Sequence, residues 1–183
     1  MYGIVANYKN KKYIIIRNIS NMKLIIGGYA QGKLDYVKQT NENIIVYDCR
    51  EQHFSIDKLC NNDGLYTEDE IFTNNSQNVK NNKNSGKIIV IDHFHCFVKD
   101  FFKEYENDKN KDELWSECKK KLHNFIEKHP DMIIISDEIG NGIVPIDPFE
   151  REYREKTGRI LIELAKQADE VVRVVCGIGQ KIK

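Results

Sequence analysis

Five short runs of continuously apolar, mostly β-branched residues recur along this 183-residue chain, at positions 23–26, 43–47, 87–91, 132–135 and 170–175. They do not alternate apolar with polar residues, which is the pattern of strands covered on both faces, as in a parallel sheet wrapped by helices. Segments with helical spacing lie between several of them. Leu114, Trp115, Cys118, Leu122, Phe125 and Ile126 fall on one helical face, and the spacing predicts a helix that begins after Asp112 and stops before Pro130. A second helix is predicted with Asp147 as N-cap and Pro148 as first residue. Its inner face would be Phe149, Tyr153, Ile160, Leu161, Leu164 and Ala168, with Gly158 interrupting it at modest cost. Strand, helix and strand repeated in this way require right-handed crossovers, so the expected class is α/β, a mainly parallel sheet with helices on both faces. Ligands of such folds sit beyond the carboxyl ends of the strands, which is where the chemistry is to be sought.

The length supports one domain with a substantial core. Residues 22–183 read as that domain and residues 1–21 as an N-terminal extension with a possible strand at 13–16. Residues 61–86, polar, Asn-rich and punctuated by Gly, read as an insertion with a mobile end. The 28 Lys+Arg balance 28 Asp+Glu, so no basic field exists to hold a phosphate backbone or an anionic membrane, and neither nucleic acid nor membrane is an expected partner. Cys49, Cys60, Cys96, Cys118 and Cys176 form no C-x-x-C pair and leave an odd one over, which points away from a disulfide framework and toward a reducing cytoplasm. No run approaches the roughly 20 apolar residues of a membrane span, and no signal-peptide pattern opens the chain.

After the first run comes Gly27-Gly28-Tyr29-Ala30-Gln31-Gly32-Lys33-Leu34, which reads G-x-x-x-x-G-K with Leu where Ser or Thr is usual. Such glycines let the backbone curl until its N–H groups face phosphate oxygens, Lys33 reaches the β- and γ-phosphates, and the following helix presents its positive end. That geometry cradles a nucleoside triphosphate; a glycine-rich turn closing a strand is the alternative. The isobutyl group of Leu34 offers Mg²⁺ no oxygen, and Asp35, about 100° further round the helix, is a conceivable replacement. The third run ends in Ile91-Asp92-His93-Phe94-His95. Asp92 has the placement of a Walker B acid, suited to hold Mg²⁺ directly or through water or to polarise an attacking group, with a loop-capping aspartate as the alternative. His93 and His95 lack a matched third ligand, so packing or hydrogen bonding is their expected role.

The fourth run leads into Glu138-Ile139-Gly140-Asn141-Gly142-Ile143-Val144-Pro145, an R-x-x-x-G-R run follows from Arg154 to Arg159, and the chain ends G-x-x-x-K-I-K from Gly177 to Lys183. With the phosphate loop and Asp92, these motifs resemble the adenosylcobinamide kinase / adenosylcobinamide-phosphate guanylyltransferase family of cobalamin biosynthesis, over about residues 22–183. The resemblance implies a P-loop NTPase-like (RecA-like) fold, usually a homotrimer. It implies phosphorylation of the aminopropanol hydroxyl of adenosylcobinamide with ATP or GTP, followed by transfer of GMP from GTP to that phosphate. It assigns Gly27, Gly32 and Lys33 to the triphosphate, Asp92 to the metal, and Glu138 with Gly140 and Gly142 to the rim of the site. Glu138 is suited to accept hydrogen bonds from a nucleobase or substrate amide; a structural turn is the alternative. The sequence departs from the family at Leu34 and in lacking the arginine-flanked histidine motif that becomes guanylylated. His53, beside Arg50, is the nearest histidine to that role. Two other readings remain: a catalytically degenerate nucleotide- or corrinoid-binding paralogue, and a subunit whose C-terminal tail completes a neighbour's site.

Overall fold

The computed structural model describes residues 4–8, 11–15, 21–51 and 87–183, the first two segments as backbone strands. These are β1 (Ile4–Tyr8) and β2 (Lys11–Ile15), an antiparallel pair with Ile4 opposite Ile15. The strand expected at 13–16 thus overlaps β2, and the insertion at 61–86 lies outside the described residues.

The main sheet has six strands. They are β3 (Lys23–Gly27), β4 (Ile44–Asp48), β5 (Ile88–Asp92), β6 (Ile133–Asp137), β7 (Glu170–Val175) and β8 (Ile178–Lys181), in the order β4-β5-β6-β3-β7-β8. The first five run parallel and β8 returns antiparallel to β7. Among the described residues four helices connect them: α1 (Lys33–Thr40), α2 (Phe94–Glu104), α3 (Lys111–Lys128) and α4 (Pro148–Gln167). This is the α/β class expected from the apolar runs, in the P-loop NTPase-like form that the family resemblance implies.

The strands are buried on both faces, and two cores result. On one face Leu24, Ile91 and Ile134 meet Phe102 of α2, Trp115 and Leu122 of α3, and Ile160 and Leu164 of α4. On the other, Ile25, Val90, Ile135 and Val174 meet Val37 of α1, with Leu34 packed against them. Alternate residues of one strand therefore serve opposite cores, which is why the runs show no polar phase. As expected, α4 opens with Asp147, whose carboxylate accepts the Phe149 N–H at 3.2 Å, followed by Pro148. The α3 boundaries also lie within a residue or two of those read from its periodicity.

Three elements had not been anticipated: β1, α2 and β8. Helix α2 starts directly after β5 with His93 in the left-handed region and no side-chain cap, so no start signal announces it. Strand β8 is short and mostly exposed, and carries a glycine, all of which obscure a strand pattern. Cys176 and Gly177, both with positive φ, form the two-residue turn between β7 and β8.

Gly27 ends β3 where the backbone passes close to β7. A Cβ there would overlap the Val174 carbonyl oxygen, a backbone atom that cannot swing aside. Gly27→Ala is therefore expected to lower stability by about 1–3 kcal/mol, the cost of overpacking a rigid contact, read as a fall in the midpoint of urea unfolding. An unchanged midpoint would mean that β3 and β7 can separate freely at this point.

Candidate functional site

Strands β4, β5 and β6 have the sequences IIVYD, IIVID and IIISD, so three neighbouring strands each end on an aspartate at the carboxyl edge. The phosphate loop leaves β3 at the same edge. Gly32 adopts φ 75° and Ala30 φ 54°, which curls residues 28–32 back to the N-terminus of α1. Only a residue tolerant of the left-handed region turns so tightly without strain, which accounts for glycine immediately before Lys33.

Lys33 is buried, with 8% exposure. Its ammonium lies 2.5 Å from Asp137 Oδ1 and donates to the Gly28 carbonyl at 2.8 Å. Asp137 reaches it because β6 sits directly beside β3, with Gly27 in register with Asp137. The sequence reading assigned Asp92 to the metal and named no carboxylate for Lys33; the strand order supplies Asp137. The signal was present in the third copy of the Ile-Ile-x-x-Asp pattern.

On the other side of Asp137 stands His95, from the first turn of α2. Its Nδ1 accepts the Asp137 backbone N–H at 3.2 Å, and its Nε2 lies 3.6 Å from Asp137 Oδ2 and 3.4 Å from the Cys96 sulfur. Burial, opposed by the charge of Asp137, holds this imidazole below its ordinary pKa. Burial also pushes the Cys96 thiol up to about 11 and the Cys49 thiol well above its usual value, so neither is a nucleophile near neutral pH.

Asp92 and Asp48 stand side by side, in register across β4 and β5. Asp92 is 2% exposed; its Oδ1 accepts the His93 N–H at 2.8 Å, while Oδ2 has no hydrogen-bond donor among the described residues. Burial raises its pKa, against the pull of His93. Asp48 behaves oppositely: burial works to raise its pKa, but hydrogen bonds from Arg50 prevail and hold it below the ordinary value. His93 Nδ1 lies 3.2 Å from Asp48 Oδ1 and 3.1 Å from Asp92 Oδ2. Asp48 thus joins Asp92 and His93, whereas His95 faces Asp137 and stands outside the group.

The rim is built from two further segments. The Gln31 backbone carbonyl accepts the Gly177 N–H at 2.9 Å and its side-chain oxygen accepts the Cys176 N–H at 2.7 Å, so the β7–β8 turn is fastened to the phosphate loop. The Glu138 N–H donates to the Gly27 carbonyl at 2.8 Å, and its carboxylate takes a hydrogen bond from Arg173 at 3.1 Å. Glu138 and Gly140 line a largely apolar cavity of about 320 Å³ that continues past Leu24, Gly158 and Leu161; Gly142, at φ 101°, lies outside its lining. A larger groove of about 530 Å³ lies at the opposite edge of the sheet, lined by Lys23, Ile133 and Glu170 at the strand starts. The carboxyl edge carries the chemistry. Tyr29 is exposed at the loop tip and Leu34 is turned into the core beneath α1. His53 lies outside the described residues.

A glycine-rich loop between a central parallel strand and a helix, with its lysine inward and aspartates on the neighbouring strands, defines a P-loop nucleotide-binding protein. Residues 65–182 match the family model described as cobinamide kinase / cobinamide phosphate guanyltransferase, and the chain belongs to that family. The matched range holds Asp92, Asp137, Glu138 and the β7–β8 hairpin; the phosphate loop precedes it. A bifunctional adenosylcobalamin biosynthesis protein CobU from Escherichia coli is 29% identical over 109 residues, 55% of this chain and 60% of that protein. Its namesake from Salmonella typhimurium is 46% identical over 52 residues, 28% of this chain and 29% of the relative.

Breaking a buried ion pair by removing one partner leaves an uncompensated charge and costs about 3–5 kcal/mol. Asp137→Asn is expected to destabilise the protein by about 3 kcal/mol, and Lys33→Met in the same background to recover most of that loss. A double-mutant cycle in urea measures the coupling; additive losses would show that the two groups do not sense each other.

Proposed function

We propose that this chain is a kinase that transfers the γ-phosphoryl group of ATP or GTP to the aminopropanol hydroxyl of adenosylcobinamide in cobalamin biosynthesis. The observation that carries this reading is the placement of buried Lys33 at the N-terminus of α1, beneath a left-handed glycine loop, in a chain of this family. Loop N–H groups and the α1 dipole favour phosphate oxygens, and Lys33 supplies a point charge at the β- and γ-positions. The substrate hydroxyl oxygen attacks the γ-phosphorus, the bond to the β–γ bridging oxygen breaks, the diphosphate leaves, and the hydroxyl proton is released. Little covalent work falls to the protein, so positioning and charge compensation dominate.

The edge also fits Mg²⁺. Asp92 presents a buried oxygen lacking a hydrogen-bond donor, whereas Leu34 offers none. When bound, the cation neutralises charge on the phosphates. The apolar cavity beside Glu138 and Gly140 is suited to a nucleobase or a flat part of the corrinoid substrate. The same reading includes a cytoplasmic homotrimer; no helix among the described residues is long and apolar enough to cross a membrane. Guanylyl transfer is the second half of the family's reaction; this chain lacks the family's histidine motif, and His53 is the nearest candidate acceptor. A paralogue that binds without turnover is not favoured, because Lys33 and Asp92 are both in place.

Purified protein incubated with adenosylcobinamide, Mg²⁺ and either ATP or GTP is expected to give the phosphate ester by mass spectrometry, and Lys33→Ala to abolish it. A GDP adduct would add guanylyl transfer. Nucleotide binding without product at any magnesium concentration would sink the kinase reading. Leu34→Ser is expected to lower the magnesium concentration needed for half-maximal turnover. It should also lower stability, since it removes packing beneath α1. No shift in the magnesium requirement would mean that position 34 has no part in holding the cation.

A further inference from the structure

We infer that Asp48, Asp92 and His93 form a site for a divalent first-row transition metal, distinct in its donor chemistry from the all-oxygen site of a nucleotide-bound Mg²⁺. The inference deepens the reading of Asp92 as a cation ligand and rests on it to that extent.

Three observations carry it. The donor atoms converge: His93 Nδ1 lies 3.1 Å from Asp92 Oδ2 and 3.2 Å from Asp48 Oδ1, and one ligand atom from each residue falls within 4.8 Å of the others. A cation with bonds of about 2.1 Å separates neighbouring ligand atoms by about 3.0 Å in an octahedron and about 3.4 Å in a tetrahedron, so the two separations from His93 Nδ1 suit either geometry. Second, one oxygen of the central ligand has no hydrogen-bond donor among the described residues. The Asp92 side chain is 3% exposed, and Oδ2, the oxygen facing His93, takes no hydrogen bond among the described residues, nor does His93 Nδ1 find a hydrogen-bond partner. A buried carboxylate oxygen without a donor is costly unless something charged completes it. Third, Asp48 is held for the purpose. Arg50 donates from Nε to Oδ1 at 3.0 Å and from Nη2 to Oδ2 at 2.5 Å, fixing the carboxylate beside Asp92. The guanidinium offsets one of the two negative charges and leaves roughly one for the cation.

The imidazole decides which cation. Mg²⁺ prefers oxygen ligands and water, whereas a nitrogen donor with two carboxylates suits Mn²⁺, Fe²⁺ or Zn²⁺. The backbone places this donor without slack. His93 is the left-handed residue joining β5 to α2, one position from Asp92, and the register of β4 with β5 supplies Asp48.

The test is Mn²⁺ added to untagged, nucleotide-free full-length protein and followed by electron paramagnetic resonance; Mn²⁺ avoids the cysteine thiols that Zn²⁺ would find. The expected result is one bound ion per chain that shows ¹⁴N modulation from a directly bound imidazole and survives about a tenfold excess of Mg²⁺. His93→Gln should remove the modulation, and His93→Gln and Asp48→Asn should each weaken binding at least about tenfold. Absence of ¹⁴N modulation in the unaltered protein overturns the inference without recourse to any variant. So does the absence of binding to nucleotide-free protein. Mn²⁺ binding lost only in Asp92→Asn also overturns it, while leaving Asp92 as the kinase's cation ligand. Nitrogen-coordinated Mn²⁺ in a protein that forms no phosphate ester would instead count against the kinase reading and leave this site standing.

Discussion

The carboxyl edge of the sheet concentrates negative charge, and most of the candidate site follows from how that charge is balanced. Asp48, Asp92 and Asp137 end three adjacent parallel strands, where backbone carbonyls also face outward. Asp137 is balanced by Lys33 in a short, buried contact. Asp48 is balanced by Arg50 from its own turn. Asp92, the most buried of the three, has only a backbone N–H and a neighbouring imidazole. The row therefore has, among the described residues, a formal cation at each end and a gap in the middle, where a divalent ion would offset the most charge.

Strand order turns this row into a nucleotide site. Because β6 lies between β3 and β5, the phosphate-loop lysine meets Asp137 first and Asp92 one strand further on. The β7–β8 turn closes the opposite flank, held by both hydrogen-bonding groups of Gln31. The glycines at positions 27 and 32 serve different ends: the first admits a neighbouring strand, the second turns the chain.

Much of this was legible in the residues. Continuous apolar runs gave the five parallel strands because both faces of each are covered, and Asp147-Pro148 marked the start of α4 by cap chemistry that needs no tertiary contact. Loop and lysine were legible for the same reason, since their geometry is local. The partners of Lys33 and Asp92 were not. Which aspartate stands beside which strand depends on sheet order, and sheet order leaves no trace in local periodicity. His93 shows the same limit: in sequence it lacked a third ligand, and the ligand came from a strand 44 positions earlier that happens to be its neighbour. Helix α2 escaped notice because it begins on a strained histidine rather than a capping residue, so the signal that announces most helices is absent.

Leu34 and His93 are two departures that make physical sense together. In a phosphate loop the residue after the lysine usually supplies an oxygen to the cation; here it packs beneath α1 among Val37, Ile25 and Val174 and stabilises the second core instead. A cation held from the phosphate-loop side by an oxygen is weakened by that exchange. On the inference above, a nitrogen ligand on the far side of Asp92, with Asp48 pinned by Arg50 behind it, would supply the compensating contacts from β4 and β5 alone. Affinity for the ion would then be a property of the sheet edge rather than of the loop that binds the nucleotide.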